Sequence, residues 1–168
     1  LIRPAKLPAN TQLADVTETT REIVRRLREE EKVDAVVSIG HRSYEEDLAL
    51  AQAVPGIDLI LGTHSHRKED LKKLPGTNTW FISPYQFGTY VSRVQLALAN
   101  GKLANVAGGL GPMDKNVPEA PDVAEGVAAR QADLEADPFF APKFVKLGSA
   151  AVELSDTNLK GDQIHPNA

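Results

Sequence analysis

A strand–helix–strand pattern in the first half of the chain constrains its fold more than any other feature. Val33–Ile39 and Ile57–Leu61 are short, nearly continuous apolar runs, typical of strands buried on both faces of a parallel sheet. Between them Tyr44–Val54 has the composition of a helix, and Pro55-Gly56 is a common ending for one. A helix between two strands within about 30 residues predicts a βαβ unit with parallel strands.

Patterns on either side of this unit predict the remaining elements. Asn100-Gly101 is a strong hairpin signal, so the strands around it are expected to be antiparallel. The glycine-rich stretch from Gly108 is expected to open a loop that runs to Pro121. The other predicted elements are a helix capped by Asp15 and Glu18, a strand at Thr79–Ser83, hairpin strands at Tyr90–Leu98 and Lys102–Val106, a helix at Asp122–Ala136 and a short strand at Ala150–Leu154.

Composition excludes several classes of protein. The chain has no cysteine, which rules out thiolate zinc sites, disulfide scaffolds and cysteine nucleophiles. A net charge of -4 argues against binding to a nucleic-acid polymer, which needs a basic surface. No apolar run approaches the roughly 18–20 residues of a membrane span. The hydrophobic content of 42% over 168 residues suffices for a buried core.

Three of the four histidines, His41, His64 and His66, directly follow the two strands of the βαβ unit. Loops at the carboxyl ends of parallel strands form the ligand crevice of such sheets, and neutral imidazole suits zinc and manganese among other metals. His64 and His66 are separated by one residue, and we expect them to serve two neighbouring metals. Purely structural histidines at turns remain an open alternative. His165 lies in the polar tail and is expected to be a surface residue.

The similarity of this chain to a known family is carried by four segments: Val33–His41, Tyr44–Ala49, Val54–His66 and Gln86–Tyr90. Together they resemble the calcineurin-like metallophosphoesterases, and most of all their secreted and periplasmic 5'-nucleotidase branch. The similarity is clear over roughly residues 14–106 and weaker up to Leu154. Thr63 stands where that family has a glycine, and Gly40 and Arg42-Ser43 also depart from its usual pattern.

The resemblance implies an α/β fold: a partial metallophosphoesterase sandwich with a parallel βαβ unit, then an antiparallel hairpin and a C-terminal helix. Residues 1–115 would be the C-terminal half of the catalytic domain. Residues 116–168 would be a linker helix and the start of a C-terminal domain. The resemblance also implies two divalent metal ions in the intact protein, zinc or manganese, with His41 and His64 on one ion and His66 on the other. No catalytic or substrate-binding residue is assigned.

The family builds the other half of its site from an Asp-x-His pair, a bridging aspartate and a Gly-Asn-His segment, and this chain has neither Asp-x-His nor Asn-His. We therefore expect a fragment of a secreted or periplasmic dimetal phosphohydrolase. The intact enzyme would hydrolyse nucleoside 5'-monophosphates or related phosphate esters by metal-activated water, and the isolated chain would be inactive. The expected partners are the substrate and the missing N-terminal half, in the same precursor or as a companion chain. A non-catalytic metal-binding or interaction domain with the phosphoesterase fold, and an unrelated α/β domain, remain alternatives.

Overall fold

The computed structural model of the protein describes residues 8, 10–149 and 151. The chain divides into two compact units, with the boundary between Val117 and Pro118. In the first unit the elements are α1 (Val16–Glu29), β1 (Val37–Ile39), α2 (Tyr44–Ala53), β2 (Leu59–Leu61), β3 (Lys68–Lys73), β4 (Trp80–Pro84), β5 (Tyr90–Ala99) and β6 (Lys102–Pro112). In the second they are α3 (Pro121–Ala136) and a 3-10 turn (Ala141–Phe144).

The first unit contains a four-stranded sheet of order β1-β2-β4-β3 and a two-stranded sheet formed by β5 and β6. Strands β1, β2 and β4 are parallel, whereas β3 is antiparallel to β4 and β5 is antiparallel to β6. The predicted βαβ unit, hairpin and C-terminal helix are thus confirmed. The first two strands are shorter than predicted, because only residues 37–39 and 59–61 pair with neighbours.

One face of the four-stranded sheet packs against α1 and α2. Ser38, Ile60 and Phe81 are in register across three parallel strands, so their side chains share this face. The opposite face holds Leu59 and Ile82, which are also buried, and strand β4 there contacts both hairpin strands. The helix-side core consists of Val24, Val36, Leu50, Ala51, Val54, Ile57, Ile60, Leu74 and Phe81.

Strand β1 is an edge of the sheet and is only partly covered. Val37 and Ile39 lie on the face opposite the helices, and they are 39% and 75% exposed. Leu59, in register with Val37 on the adjacent strand, is 3% exposed. Parallel sheets are normally covered on both faces, so this apolar edge is unusual for a parallel strand.

Helix α1 is fixed by its cap and by one long side chain. The Asp15 carboxylate accepts a hydrogen bond from the Glu18 N–H at 2.8 Å, which confirms the predicted N-terminus. Arg28 extends from the helix to the carboxylate of Asp58, which also accepts from the Val36 N–H at 2.7 Å. Asp58 therefore ties the start of β2 to the strand before it and to α1.

The structure corrects the expected loop at Gly108, because β6 continues as a strand to Pro112. Gly108 pairs with Val94 and has a φ of +153°. A Cβ atom there would lie 2.0 Å from the Arg93 carbonyl oxygen, so only glycine lets the two strands approach this closely. The glycines that suggest a loop in isolation thus serve close strand pairing.

Strand β3 was not foreseen, since Lys68–Lys73 is mostly charged and lacks an apolar alternation. It forms because its backbone pairs with β4, with Lys72 opposite Phe81 and Lys73 opposite Trp80. Glu69 bonds both Arg67 and Lys72, so ion pairs accommodate the charges. Tertiary pairing overrides the weak local preference at this strand.

The second unit contains α3 and the 3-10 turn that follows it. The side of α3 predicted to be apolar is exposed, with Val123 and Val127 both at 60% and Leu134 at 42%. Of the predicted strand at 150–154, all but Ala151 lies outside the described residues, as does His165. Among the described helices, none combines the length and apolarity needed to cross a membrane.

Candidate metal centre

The three candidate ligands lie in loops that leave one edge of the four-stranded sheet. His41 follows β1, and both His64 and His66 follow β2. Because β1 and β2 are adjacent and parallel, their carboxyl ends lie side by side. The topology alone therefore brings the two loops together.

The rings of His41 and His64 meet directly. Nε2 of His41 lies 2.9 Å from Nδ1 of His64, and the ring planes are inclined at 73°. Two nitrogens held by one tetrahedral zinc, each about 2.0–2.1 Å from the metal, lie about 3.3 Å apart. The observed spacing is that of a hydrogen bond and is close to the spacing of two ligands on one ion. Both side chains are exposed, so the pair is accessible.

His66 does not join this pair. Its backbone N–H donates to the Thr63 carbonyl at 3.0 Å, and its φ is +48°. Residues 63–66 thus form a turn and not an extended segment. Over the described residues, no three His, Cys, Asp or Glu side chains are grouped so that they could hold a metal ion. His41 and His64 fit two positions of a metal site, and the role of His66 stays a prediction.

The turn that carries His64 is anchored on both sides. The Ser65 hydroxyl oxygen accepts from the N–H of Tyr44, the first residue of α2, at 2.6 Å. Thr63 donates its hydroxyl to the Gly40 carbonyl at 2.8 Å. Gly62 lies against the Phe81 ring, where a Cβ atom would come within 2.2 Å of it. These contacts fix the turn on the sheet and on the start of α2.

The loop that carries His41 is held by Arg42. Its Nε bonds the Asp47 carboxylate at 2.8 Å, and its Nη2 bonds the Ser38 hydroxyl at 2.9 Å. Asp47 is only 1% exposed. Burial raises the pKa of the Asp47 carboxyl, while the Arg42 charge acts against that rise. No sequence pattern predicts this buried pair, because neither residue belongs to a ligand pattern.

The loop after β4 lies along the same sheet edge and has a constrained backbone. Tyr85 and Phe87 have positive φ angles of 68° and 59°, which is rare for aromatic residues. The Tyr85 N–H donates to the Arg67 carbonyl at 3.1 Å, one residue after His66. The Phe87 side chain is 88% exposed, so this loop presents an aromatic ring to solvent.

Comparison with known proteins identifies sequence relatives and structural neighbours of this chain. No family profile matches the chain. The trifunctional nucleotide phosphoesterase YfkN of Bacillus subtilis is 29% identical over 126 residues, which is 72% of this chain and 9% of YfkN. The sulfate thiohydrolase SoxB of Thermus thermophilus superposes with a TM-score of 0.62 at 31% identity, over 71% of this chain and 22% of SoxB. A 5'-nucleotidase precursor, also from Thermus thermophilus, gives a TM-score of 0.62 at 23% identity, over 73% of this chain and 28% of that one.

The fold is that of a calcineurin-like phosphoesterase, as its structural neighbours show. The resemblance to the 5'-nucleotidase branch, predicted from the sequence, is also confirmed, because the sequence relatives include 5'-nucleotidases and nucleotide phosphoesterases. Both groups are dimetal enzymes, which agrees with a pair of imidazoles at the carboxyl edge of the sheet. The chain spans less than a third of each of the three relatives described above.

Proposed function

We propose that this chain is part of a metal-dependent hydrolase that acts on nucleoside 5'-monophosphates or related phosphate esters. The observation that carries the proposal is the contact between His41 and His64 in a chain whose relatives are nucleotidases. Two divalent ions, zinc or manganese, would supply Lewis-acid polarisation of a phosphoryl oxygen and a water of lowered pKa. This location and chemistry match the crevice at the carboxyl ends of parallel strands.

The residues of this chain would bind and orient the ions. In the proposal Nε2 of His41 and Nδ1 of His64 hold one ion, and His66 holds the second. Ser65 and Arg42 support these ligands, since each ties a ligand-bearing loop to α2. Such outer contacts keep imidazole ligands oriented and are costly to remove.

The remaining ligands would come from a further part of the catalytic domain, in the same precursor or as a companion chain. Two neutral imidazoles leave at least two positions of a tetrahedral zinc site open. The exposed apolar face of β1 supports the proposal, because Ile39 lies two residues before His41 and is 75% exposed. A segment packed on this edge would cover Ile39 and would also reach the open side of the imidazole pair.

A secreted or periplasmic location belongs to the same proposal and is supported by the 5'-nucleotidase relatives. A second candidate activity, that of a sulfate thiohydrolase, is favoured by the 31% identity to SoxB. The non-catalytic alternative, a metal-binding or interaction domain, keeps the imidazole pair but requires no substrate. The completed domain would hydrolyse a phosphate ester in the first case, act as a sulfate thiohydrolase in the second, and have no substrate in the third.

The test measures bound metal and hydrolysis with and without the complementary N-terminal half of the domain. We expect the 168-residue chain to bind zinc weakly and to leave AMP unhydrolysed, and the completed domain to release phosphate. His64→Ala should abolish this activity, whereas His165→Ala, the same substitution at the fourth histidine, should not. AMP hydrolysis by the chain alone would contradict the proposed need for a second half. A completed domain that binds metal but releases no phosphate would favour SoxB-like or non-catalytic candidates.

A further inference from the structure

The hydroxyl of Thr63 lies between two loops of the candidate centre. Its Oγ1 is 2.8 Å from the Gly40 carbonyl oxygen and 3.4 Å from Nδ1 of His41. Thr63 is half-buried, and its hydroxyl links the loop after β2 to the loop after β1.

The chemistry of the two partners fixes where the hydroxyl proton goes. A carbonyl oxygen only accepts hydrogen bonds, so the Thr63 O–H must donate to Gly40. The Thr63 oxygen can then only accept from the imidazole of His41. For a neutral ring this requires the proton on Nδ1, which leaves the lone pair on Nε2.

The tautomer of His41 determines which ring donates in the contact between the two histidines. Taken alone, that contact is compatible with either ring as the donor, since each nitrogen can carry a proton. With the His41 proton on Nδ1, Nε2 of His41 becomes the acceptor and His64 donates from its Nδ1. The Thr63 hydroxyl thus selects one of two otherwise equivalent arrangements.

We propose that Thr63 is a positioning residue that holds neutral His41 as the Nδ1–H tautomer, with the Nε2 lone pair directed at His64. The tautomer assignment rests only on the contacts of Thr63. Its benefit for metal binding rests on the proposed function: Nε2 of His41 presents a lone pair to the ion, and His64 moves its proton from Nδ1 to Nε2 when the ion binds. Outer-shell partners of this kind typically change metal affinity by roughly 10–100-fold.

The test compares the 168-residue chain with Thr63→Val, which keeps the shape and removes the hydroxyl, and with Thr63→Ser, which keeps the hydroxyl. Imidazole ¹⁵N chemical shifts at about pH 8, where ordinary histidines are neutral, report which nitrogen carries the proton. We expect His41 to be Nδ1–H in the wild type and in Thr63→Ser. In Thr63→Val it should become a mixture of both tautomers.

Zinc titration of the same three proteins gives the second readout. We expect affinity about 10-fold lower or weaker still for Thr63→Val, and near wild type for Thr63→Ser. A wild-type His41 protonated on Nε2, or a tautomer unchanged in Thr63→Val, overturns the proposal. If Thr63→Val does not fold, Thr63→Ala replaces it with the same expectation.

The failure of this proposal can be told from failure of the proposed function. A tautomer shift in Thr63→Val with no zinc bound by the wild type, even in the completed domain, supports the role of Thr63 and overturns the metal-dependent function. Zinc bound equally by all variants, with no tautomer shift, overturns the role of Thr63 and leaves the function standing.

Discussion

Arg42 and Asp47 form a buried ion pair that joins the His41 loop to the first turn of α2, with Nε and Oδ1 2.8 Å apart. The side chains are 22% and 2% exposed, so the charges are largely removed from water. Breaking such a pair by removing one partner leaves an uncompensated buried charge. The pair therefore links the stability of the fold to the geometry of the candidate centre.

Removal of Arg42 should destabilise the protein in a pH-dependent way. We expect Arg42→Met to lower the free energy of unfolding by about 3–5 kcal/mol at pH 7. Burial already raises the folded-state pKa of Asp47 above its ordinary value of 3.8, and loss of Arg42 should raise it further. A carboxyl with a raised folded-state pKa favours folding when protonated, so stability is lost as pH rises from the ordinary value through the folded-state pKa.

Denaturant unfolding of wild type and Arg42→Met at pH 4 and pH 7 checks this expectation. The difference in the free energy of unfolding between the two proteins should be smaller at pH 4. The double variant Arg42→Met/Asp47→Leu should recover much of the loss at pH 7, because no charge is then left buried. An equal difference in the free energy of unfolding at both pH values would show that the pKa of Asp47 does not depend on Arg42.

Metal binding should depend on His41 and His64 as a unit. Because the two rings are in contact, removing either one destroys the shared site, and removing both should cost little more than removing one. We expect His41→Ala, His64→Ala and the double variant to show similar residual zinc affinity in a calorimetric titration. Additive losses would mean that the two rings bind separate ions.

His66→Ala gives the complementary measurement on the same chain. His66 does not share the contact between the other two rings, so its removal should leave the tighter zinc affinity unchanged. A loss as large as that of His64→Ala would instead place His66 on the same ion.

Ile39 and Ile60 offer a matched pair of substitutions on neighbouring strands. Ile60 is fully buried, and its replacement by alanine should cost about 2–5 kcal/mol. Ile39 is 75% exposed, so Ile39→Ala should change the stability of the chain by only about 0.5 kcal/mol. In the completed domain, Ile39→Ala should weaken association with the added half. A large loss of stability in the isolated chain would contradict the exposed position of Ile39.

Gly108 and Gly111 test the close pairing of β5 and β6. Gly108→Ala would bring a Cβ atom to 2.0 Å from the Arg93 carbonyl at a φ of +153°, so we expect a loss of at least about 1–3 kcal/mol. Gly111→Ala would meet the Val91 carbonyl at 3.8 Å, an ordinary contact. It should be close to neutral in thermal unfolding. Equal effects of the two substitutions would show that the strands separate easily at Gly108.

Short-range patterns along the chain were enough to predict the local elements and the neighbourhood of the site. The apolar runs of β1 and β2 predicted a parallel βαβ unit, and Asn100-Gly101 predicted the hairpin, where both residues have positive φ. These features could be predicted because periodicity and turn chemistry depend on neighbours in the chain. Parallel topology then brought His41 near His64 without further information.

Pairing and packing between elements set the features that these patterns missed. The charged segment Lys68–Lys73 is a strand because its backbone pairs with β4, and the glycines from Gly108 belong to β6 because they pair with β5. The turn at 63–66 separated His66 from the pair that His64 forms with His41, and Thr63 came to lie against His41. Hydrogen bonds and burial of this kind depend on which surfaces meet in space, and a linear pattern does not encode them residue by residue.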